Sequence, residues 1–356
     1  MTVAETKLKV AILFGGIGTE YRVSCWSAAS VLKHIDHEKY EVLLLGIDQK
    51  GRWMLTKATA KQLDEDKWAD LPSNLQVTPC FDEERRGLFS KRGKYIPVDC
   101  FFPVTHGTYG EDGTLQGILE MMRLPYVGSG VLASAVAMDK GITKIVAGSA
   151  GIRQAKYYVT DRFKFSSGPM EEIDAAEKAV GGYPVFVKPA NAGSSVGVTK
   201  ATDRKELFDS IRCAADFDHK IIIEESIKGR ELEVAVLGDR DPQASPVGEI
   251  VAAGEFYTFE AKYENPVSKA EVAENLPPEI EEELRRTAIR VYELIGCRGL
   301  SRVDFFLDEE GRVIFNEINT LPGFTVISMY PKLWEAGGLN YSELIDKLIT
   351  LALDKE

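Results

Sequence analysis

Apolar positions along this chain fall into two rhythms, and their alternation outlines the fold. Residues 8–14, 40–47 and 98–104 are compact apolar runs of strand length, whereas 23–32 and 114–123 repeat their apolar positions every three or four residues. In the second helix Leu115, Ile118, Leu119 and Met122 share one face. Strands alternating with helices predict an α/β layer around a parallel sheet. Residues 55–95, of mixed charge with scattered glycines, read as a variable edge of that layer. A small-residue helix over 130–140 marks a first boundary. Two buried strands, 183–189 and 221–225, follow in a middle unit. From about 226 a third unit begins, with a polar excursion at 254–275 and a strongly periodic helix at 278–295.

The end of the chain carries the densest polar pattern. Two β-rich runs, 301–307 and 312–319, flank the Asp308-Glu309-Glu310-Gly311 turn and predict a hairpin. An even loop pairs Leu307 with Arg312, so Arg302 faces Glu317 and Asp304 faces Phe315. Because side chains alternate along strands, Arg302, Asp304, Glu317 and Asn319 then share one face. Three hard oxygen donors beside an arginine suit Mg²⁺ bridging a polyphosphate. A solvated polar face would give the same pattern.

Composition narrows the partners. A length of 356 residues predicts two or three domains, and 44% hydrophobic content suffices for proper cores. A net charge of −12 argues against a nucleic-acid backbone as partner. Five scattered cysteines without a CxxC pair signal neither zinc nor a disulfide framework, and four histidines lack metal-ligand spacing. No apolar run is long enough to span a bilayer and no targeting segment is evident, so a cytoplasmic protein without membrane contact is expected.

Several loops carry candidate chemistry. Gly15-Gly16-Ile17-Gly18 lies between a strand and a helix, but Tyr21 occupies the third glycine position of a dinucleotide fingerprint. Glu20 opens that helix, where a carboxylate also simply favours the macrodipole. His106 sits among glycines after a strand, in a loop position that binds ligands in α/β sheets. Gly193-Ser194-Ser195-Val196-Gly197 offers free N–H groups to phosphate without being a Walker A loop. It also matches a hydrolase elbow, but only His219 follows as a possible base. Lys188 is embedded in an apolar strand and needs an anionic partner, which nucleotide phosphates would supply.

Taken together the chain resembles the D-alanine–D-alanine ligase family of the ATP-grasp superfamily. The matching segments, in order, are GGIGTEYRVS (15–24), HGTYGEDGTLQG (106–117), LPYVGSG (124–130), MDK (138–140), PVFVKPANAGSSVG (184–197), FYTFEAKY (256–263), GCRGLSRVDFF (296–306) and NEINTLPGFT (316–325). Only 55–95 and 154–180 carry no resemblance. The resemblance implies an α/β, three-domain ATP-grasp ligase: a Rossmann-like parallel-sheet domain over 1–128, a central ATP-grasp subdomain over 129–225 and a C-terminal one over 226–356. It implies ATP-dependent joining of two D-alanines through a D-alanyl phosphate, for peptidoglycan precursor synthesis, by a cytoplasmic homodimer. Mg²⁺ or Mn²⁺ would be the metal and ATP the co-substrate.

The resemblance also assigns roles. Glu20 would bind the first ammonium and His106 would lie near its carboxylate. Lys140 and Lys188 would hold phosphates, with Lys262 reaching the γ-phosphate from a loop. Glu224, Ile227 and Glu231 would surround the adenosine, with Phe306 stacked on the adenine. Asp304, Glu317 and Asn319 would bind the metal. Arg302 and the Gly323 N–H would stabilise the oxyanion. Ser194 and Tyr263 would link to Glu20, and Ser328 would anchor the second carboxylate beside Met329. Two positions depart from the family pattern, Gly18 for a serine and Arg22 for an acid. The alternatives are a D-Ala–D-Lac or D-Ala–D-Ser ligase of glycopeptide-resistance type, and a nucleotide-binding protein without ligase activity.

Overall fold

A computed structural model of the protein describes residues 7–82, 84–251 and 269–354. The first of its sheets has seven strands. Leu8–Gly15 lies at its parallel centre, between Tyr40–Ile47 and Cys100–Pro103. The predicted parallel sheet is therefore only one end of a mixed one, which continues antiparallel beyond Tyr40–Ile47. The 55–95 stretch contributes antiparallel edge strands, Leu75–Cys80, Gly87–Ser90 and Tyr95–Pro97, beyond Trp53–Thr56. This edge is tied to the core by Trp68. Its fully buried ring meets Phe14 edge-on at 4.8 Å and lies so close over Gly46 that a Cβ there would collide with it.

The second sheet is antiparallel, in the order Thr199–Ala201, Val185–Pro189, Lys220–Glu225, Tyr157–Asp161. Its last strand falls in 154–180, a stretch in which the sequence shows no telling motif. The helix expected over 130–140 is divided in two. Asp139 ends Val131–Met138 and caps Lys140–Ser149 by accepting from the Ile142 N–H at 3.0 Å, so Lys140 starts a new helix.

The third sheet is antiparallel too, in the order Lys269–Val272, Gln243–Val251, Gly229–Gly238, Gly299–Asp308, Val313–Asn319. The helix Pro278–Ile295 covers it, and its ends follow from sequence. Pro278 stands where no N–H is needed, Glu279 and Glu281 favour the dipole, and Gly296 closes it in the left-handed region. Leu284, Ala288, Val291, Tyr292 and Ile295 form its buried stripe. The final helices, Met329–Ala336 and Tyr341–Leu353, pack back on the first sheet. Tyr330, Leu333, Leu344 and Leu348 share one core with Val10, Ile12 and Phe102.

The predicted hairpin forms, with a different register. Asp304 pairs with Glu317 and Arg302 with Asn319, while nearer the turn Phe305 pairs with Phe315 and Leu307 with Val313. Asn316 is the extra residue of a bulge. An unbroken register from the turn would have put these polar side chains on opposite faces, and the bulge restores the shared face.

Trp68→Ala should cost about 3–5 kcal/mol of stability, the usual range for deleting a buried indole. Urea unfolding followed by far-UV circular dichroism measures this. A loss below about 1 kcal/mol would show the edge strands to be independent of the core.

Candidate functional site

The three sheets converge on a cleft of about 1130 Å³. From the first sheet come Glu20 and His106, and from the second Lys188 and the Gly193–Ser195 loop. From the third come Arg302, Asp304, Glu317 and Asn319. Lys140, Glu224, Ile227, Glu231, Phe306, Gly323, Ser328 and Met329 complete the residues singled out from sequence that line it. Lys262 and Tyr263 lie outside the described residues.

Glu20 stands at the N-cap of the helix Tyr21–His34, and its carboxylate accepts from the Ser194 hydroxyl of the second sheet's loop. Two glycines make room for it: a Cβ on Gly107 would lie 2.7 Å from Glu20 Oε2, and one on Gly193 would lie 2.5 Å away. Ser194 and Ser195 both have φ in the left-handed region, at 48° and 59°, which turns successive N–H groups the same way. Arg22 turns from the cleft to Asp66, 3.3 Å away. His106 is held from both sides, with Nε2 3.3 Å from Ser27 Oγ and Nδ1 2.9 Å from the Leu321 carbonyl. Burial pushes its pKa below the ordinary imidazole range, against the opposing pull of Glu20, so the ring is neutral at pH 7.

The cations are placed by secondary structure. Lys140, at the start of its helix, donates to the Ala192 carbonyl at 2.9 Å and lies 3.6 Å from Glu317. Lys188 does find an anion, but a protein carboxylate. It pairs across the sheet with Ile222, which puts it on the same face as Glu224, 2.6 Å away. The anionic partner that its apolar strand calls for is thus present within the protein itself, as Glu224. Glu224 is also 2.5 Å from Lys144. Burial alone would raise the Glu224 pKa, yet the two lysines outweigh it and hold the carboxyl at about 2.

On the third sheet the Arg302 guanidinium grips Asp304 with two bonds, at 2.7 and 2.6 Å, and lies 3.3 Å from Glu233. Burial disfavours its charge, but Asp304 and Glu233 more than compensate and raise its pKa well above the usual value. Asn319 Oδ1 accepts from the Leu321 N–H at 3.2 Å. Ser328 stands at the N-cap position of the helix Met329–Ala336, but its hydroxyl turns back to accept from the Thr325 N–H at 3.1 Å. Met329 lines the cleft but is only 5% exposed, its sulfur lodged where a Cβ on Gly248 would meet it at 2.6 Å. It offers an apolar floor rather than an open wall.

Sequence reasoning missed three charged residues here. Lys144 and Glu233 are buried charges, Lys144 on a short helix and Glu233 on the same strand face as Glu231, beside the apolar run 234–237. Glu111 lay inside the glycine loop that drew attention to His106. Its Oε1 accepts from the Gly107 N–H at 2.9 Å, and its Oε2 has no hydrogen-bond partner. Burial first, then the charge of Glu20, pushes its carboxyl up to about 8.

A carboxyl raised in the folded state binds its proton more tightly there than in the unfolded chain. Its stabilisation is full below about pH 4.3 and is lost as pH rises towards 8. Glu111→Gln keeps the acceptor and removes the titration. The variant should overtake the parent in stability between pH 5 and 8, by more than about 1.4 kcal/mol at pH 8.5, the equivalent of a tenfold change in equilibrium. Parallel melting curves for the two proteins over that range would contradict a neutral Glu111.

Comparison with known proteins gives this cleft a family. Residues 9–129 match the family model described as the D-ala D-ala ligase N-terminus, and 146–350 match the D-ala D-ala ligase C-terminus. The D-alanine--D-alanine ligase of Caldicellulosiruptor bescii is 46% identical over 98% of this chain and 96% of its own. Among solved structures, the VanG D-Ala:D-Ser ligase of Enterococcus faecalis aligns with a TM-score of 0.89 at 37% identity, covering 98% of this chain and 100% of that one. The D-alanine-D-alanine ligase of Coxiella burnetii aligns at 0.85 and 35%, covering 98% and 96%. With both halves matched and relatives aligned nearly end to end, the chain belongs to the D-alanine–D-alanine ligase family.

Proposed function

We propose that the protein joins two D-alanines to D-alanyl-D-alanine at the expense of ATP, through a D-alanyl phosphate. Family membership supports the reaction. The observation that carries the reading is the convergence of Glu20, Lys140, Lys188, Arg302 and the Asp304–Glu317–Asn319 face on one cleft. The first D-alanine places its ammonium at Glu20, beside the neutral His106. Its carboxylate attacks the γ-phosphorus, ADP leaves, and an acyl phosphate forms. The amine of the second D-alanine then adds to the acyl carbon, and the tetrahedral species collapses with loss of phosphate. Lys140 and Lys188 hold the phosphates, with Lys262 as a third cation. Arg302 and the Gly323 N–H stabilise the developing oxyanion. Both steps depend on positioning and charge neutralisation. Ile227, Glu231 and Phe306 enclose the adenosine with Glu224, and Ser194 and Tyr263 bridge to Glu20. Ser328 takes the second carboxylate.

The donor set fits Mg²⁺. Among the described residues no group of three His, Cys, Asp or Glu could hold a metal by itself. Two carboxylates and the Asn319 amide share a face, leaving positions for phosphate and water, as Mg²⁺ prefers. Acidic side chains also outnumber basic ones around the cleft, so a polyphosphate there needs added positive charge. Mg²⁺ or Mn²⁺ would supply that charge. We further assign units 1–128, 129–225 and 226–356, a homodimeric assembly and a cytoplasmic location. Among the described residues no helix is long and apolar enough to cross a membrane, and the net charge of −12 disfavours nucleic acid.

Phosphate release from ATP should require D-alanine and a divalent cation, with dipeptide detected by mass. Equal turnover with L-alanine or in excess EDTA would refute the ligase reading. D-alanine should outcompete equimolar D-serine modestly, since the apolar Met329 floor gives a hydroxyl no partner, and D-lactate clearly, since Tyr263 would serve an attacking amine that D-lactate lacks. A product dominated by D-serine or D-lactate would move the assignment to a resistance-type ligase.

Glu317→Gln and Asp304→Asn should each abolish most activity, and their stabilities should separate. The Glu317 side chain is 34% exposed, so its substitution should leave the melting temperature nearly unchanged. Asp304→Asn weakens a buried ion pair with Arg302 and should lower it. Full turnover in both variants at low millimolar Mg²⁺ would reduce this face to mere surface.

A further inference from the structure

The ligase reading gives Lys188 to the phosphates and Glu224 to the adenosine, yet these two side chains are bound to each other. They share one face of the second sheet at 2.6 Å, and both line the cleft. If that pair stood alone, turning Lys188 towards a phosphate would strand a buried carboxylate, a strongly unfavourable change. Lys144 prevents this. It projects from the helix Lys140–Ser149 with a side chain only 2% exposed, and its Nζ lies 2.5 Å from Glu224 Oε1. Lys188 takes the other oxygen, Oε2, and its side chain is 16% exposed. The two lysines therefore do not compete for one lone pair. Lys144 is also fixed in direction, with its ammonium 5.7 Å from the centre of the Tyr157 ring on the neighbouring strand.

We propose that Lys144 is a positioning residue: a permanent counterion for Glu224 that frees Lys188 to exchange this carboxylate for the phosphates of an incoming nucleotide. Lys144 does not itself reach the cleft. Glu224 remains an ion throughout, held from the buried side, and keeps its acceptor oxygens for the base. Glu231 and Glu317 also act on Lys188, so the lysine moves within an acidic surround and never between a charged and an uncharged place. This inference rests on the ligase reading.

The test uses Lys144→Met, which keeps the stem and removes the charge, and Lys144→Gln, which also keeps a donor for Glu224 and so protects the fold. Steady-state constants are measured for ATP and D-alanine, and calorimetry gives the affinity of inorganic tripolyphosphate, which carries phosphates without a base. In both variants KM for ATP should rise at least tenfold while KM for D-alanine stays within twofold. Tripolyphosphate should weaken by a similar factor, because Lys188 is then retained by Glu224. An unchanged KM for ATP would overturn the proposal, as would a parallel rise for both substrates. So would weaker ATP with undiminished tripolyphosphate binding, since that would confine Lys144 to shaping the base site. Absence of ATP turnover in the unsubstituted protein would instead remove the ligase reading and this inference with it.

Discussion

Between the pairs Phe305–Phe315 and Asp304–Glu317, the strand Val313–Asn319 carries one residue more than its partner. That residue, Asn316, decides which side of the sheet receives the charges. On the turn side, alternation buries Phe305 and Phe315 together, with ring centroids 6.1 Å apart. Past the bulge the alternation is shifted by one, and Asp304, Glu317, Arg302 and Asn319 all look into the cleft. A hydrophobic core on one face and a cluster of charges on the other can coexist in one hairpin because the parity changes at this point. Without it Glu317 and Asn319 would turn to the core and leave Asp304 as the only one of the three donors on the cleft side of the hairpin.

The price of such a cleft is buried charge, and the protein manages it by sharing. Arg302 neutralises Asp304 and Glu233 together, and Glu224 neutralises Lys144 and Lys188 together. His106 and Glu111 follow the other route and stay neutral. Paired ions strengthen their neighbours' charges, whereas isolated groups give theirs up. The two behaviours divide the cleft into a charged half on the second and third sheets and a largely uncharged pocket on the first, facing Glu20.

Much of this was legible from sequence, for identifiable reasons. The helix Pro278–Ile295 was read with its correct ends because proline, acidic first turn, stripe and glycine all agree. The strand Tyr40–Ile47 was likewise bounded correctly. The polar face of the hairpin was found through the wrong register: the turn shifts the pairing by one residue and the bulge by one more, and an error of two preserves parity. Lys188 was recognised as needing an anion, but Glu224 comes from a strand more than thirty residues on, and only the sheet pairing reveals it. Lys144 escaped because MDKGITK offers it as one more polar position on a short helix. The division at Asp139 was missed because a capping aspartate inside an apolar run looks like a continuing helix.

The return of the last helices to the first sheet gives the chain a timing problem during synthesis. Lys39 and Tyr40 bind Asp346, some three hundred residues away, and Leu344 and Leu348 complete the core of Val10 and Ile12 that the helix Tyr21–His34 begins. A polypeptide emerging from the ribosome makes its first strands early and the cover for them last. Until then the outer part of that core is open to any passing apolar surface. The long closing distance also delays the final contacts entropically. Recovery of folded protein should therefore depend on how the unfinished chain is shielded as well as on the stability of the finished molecule.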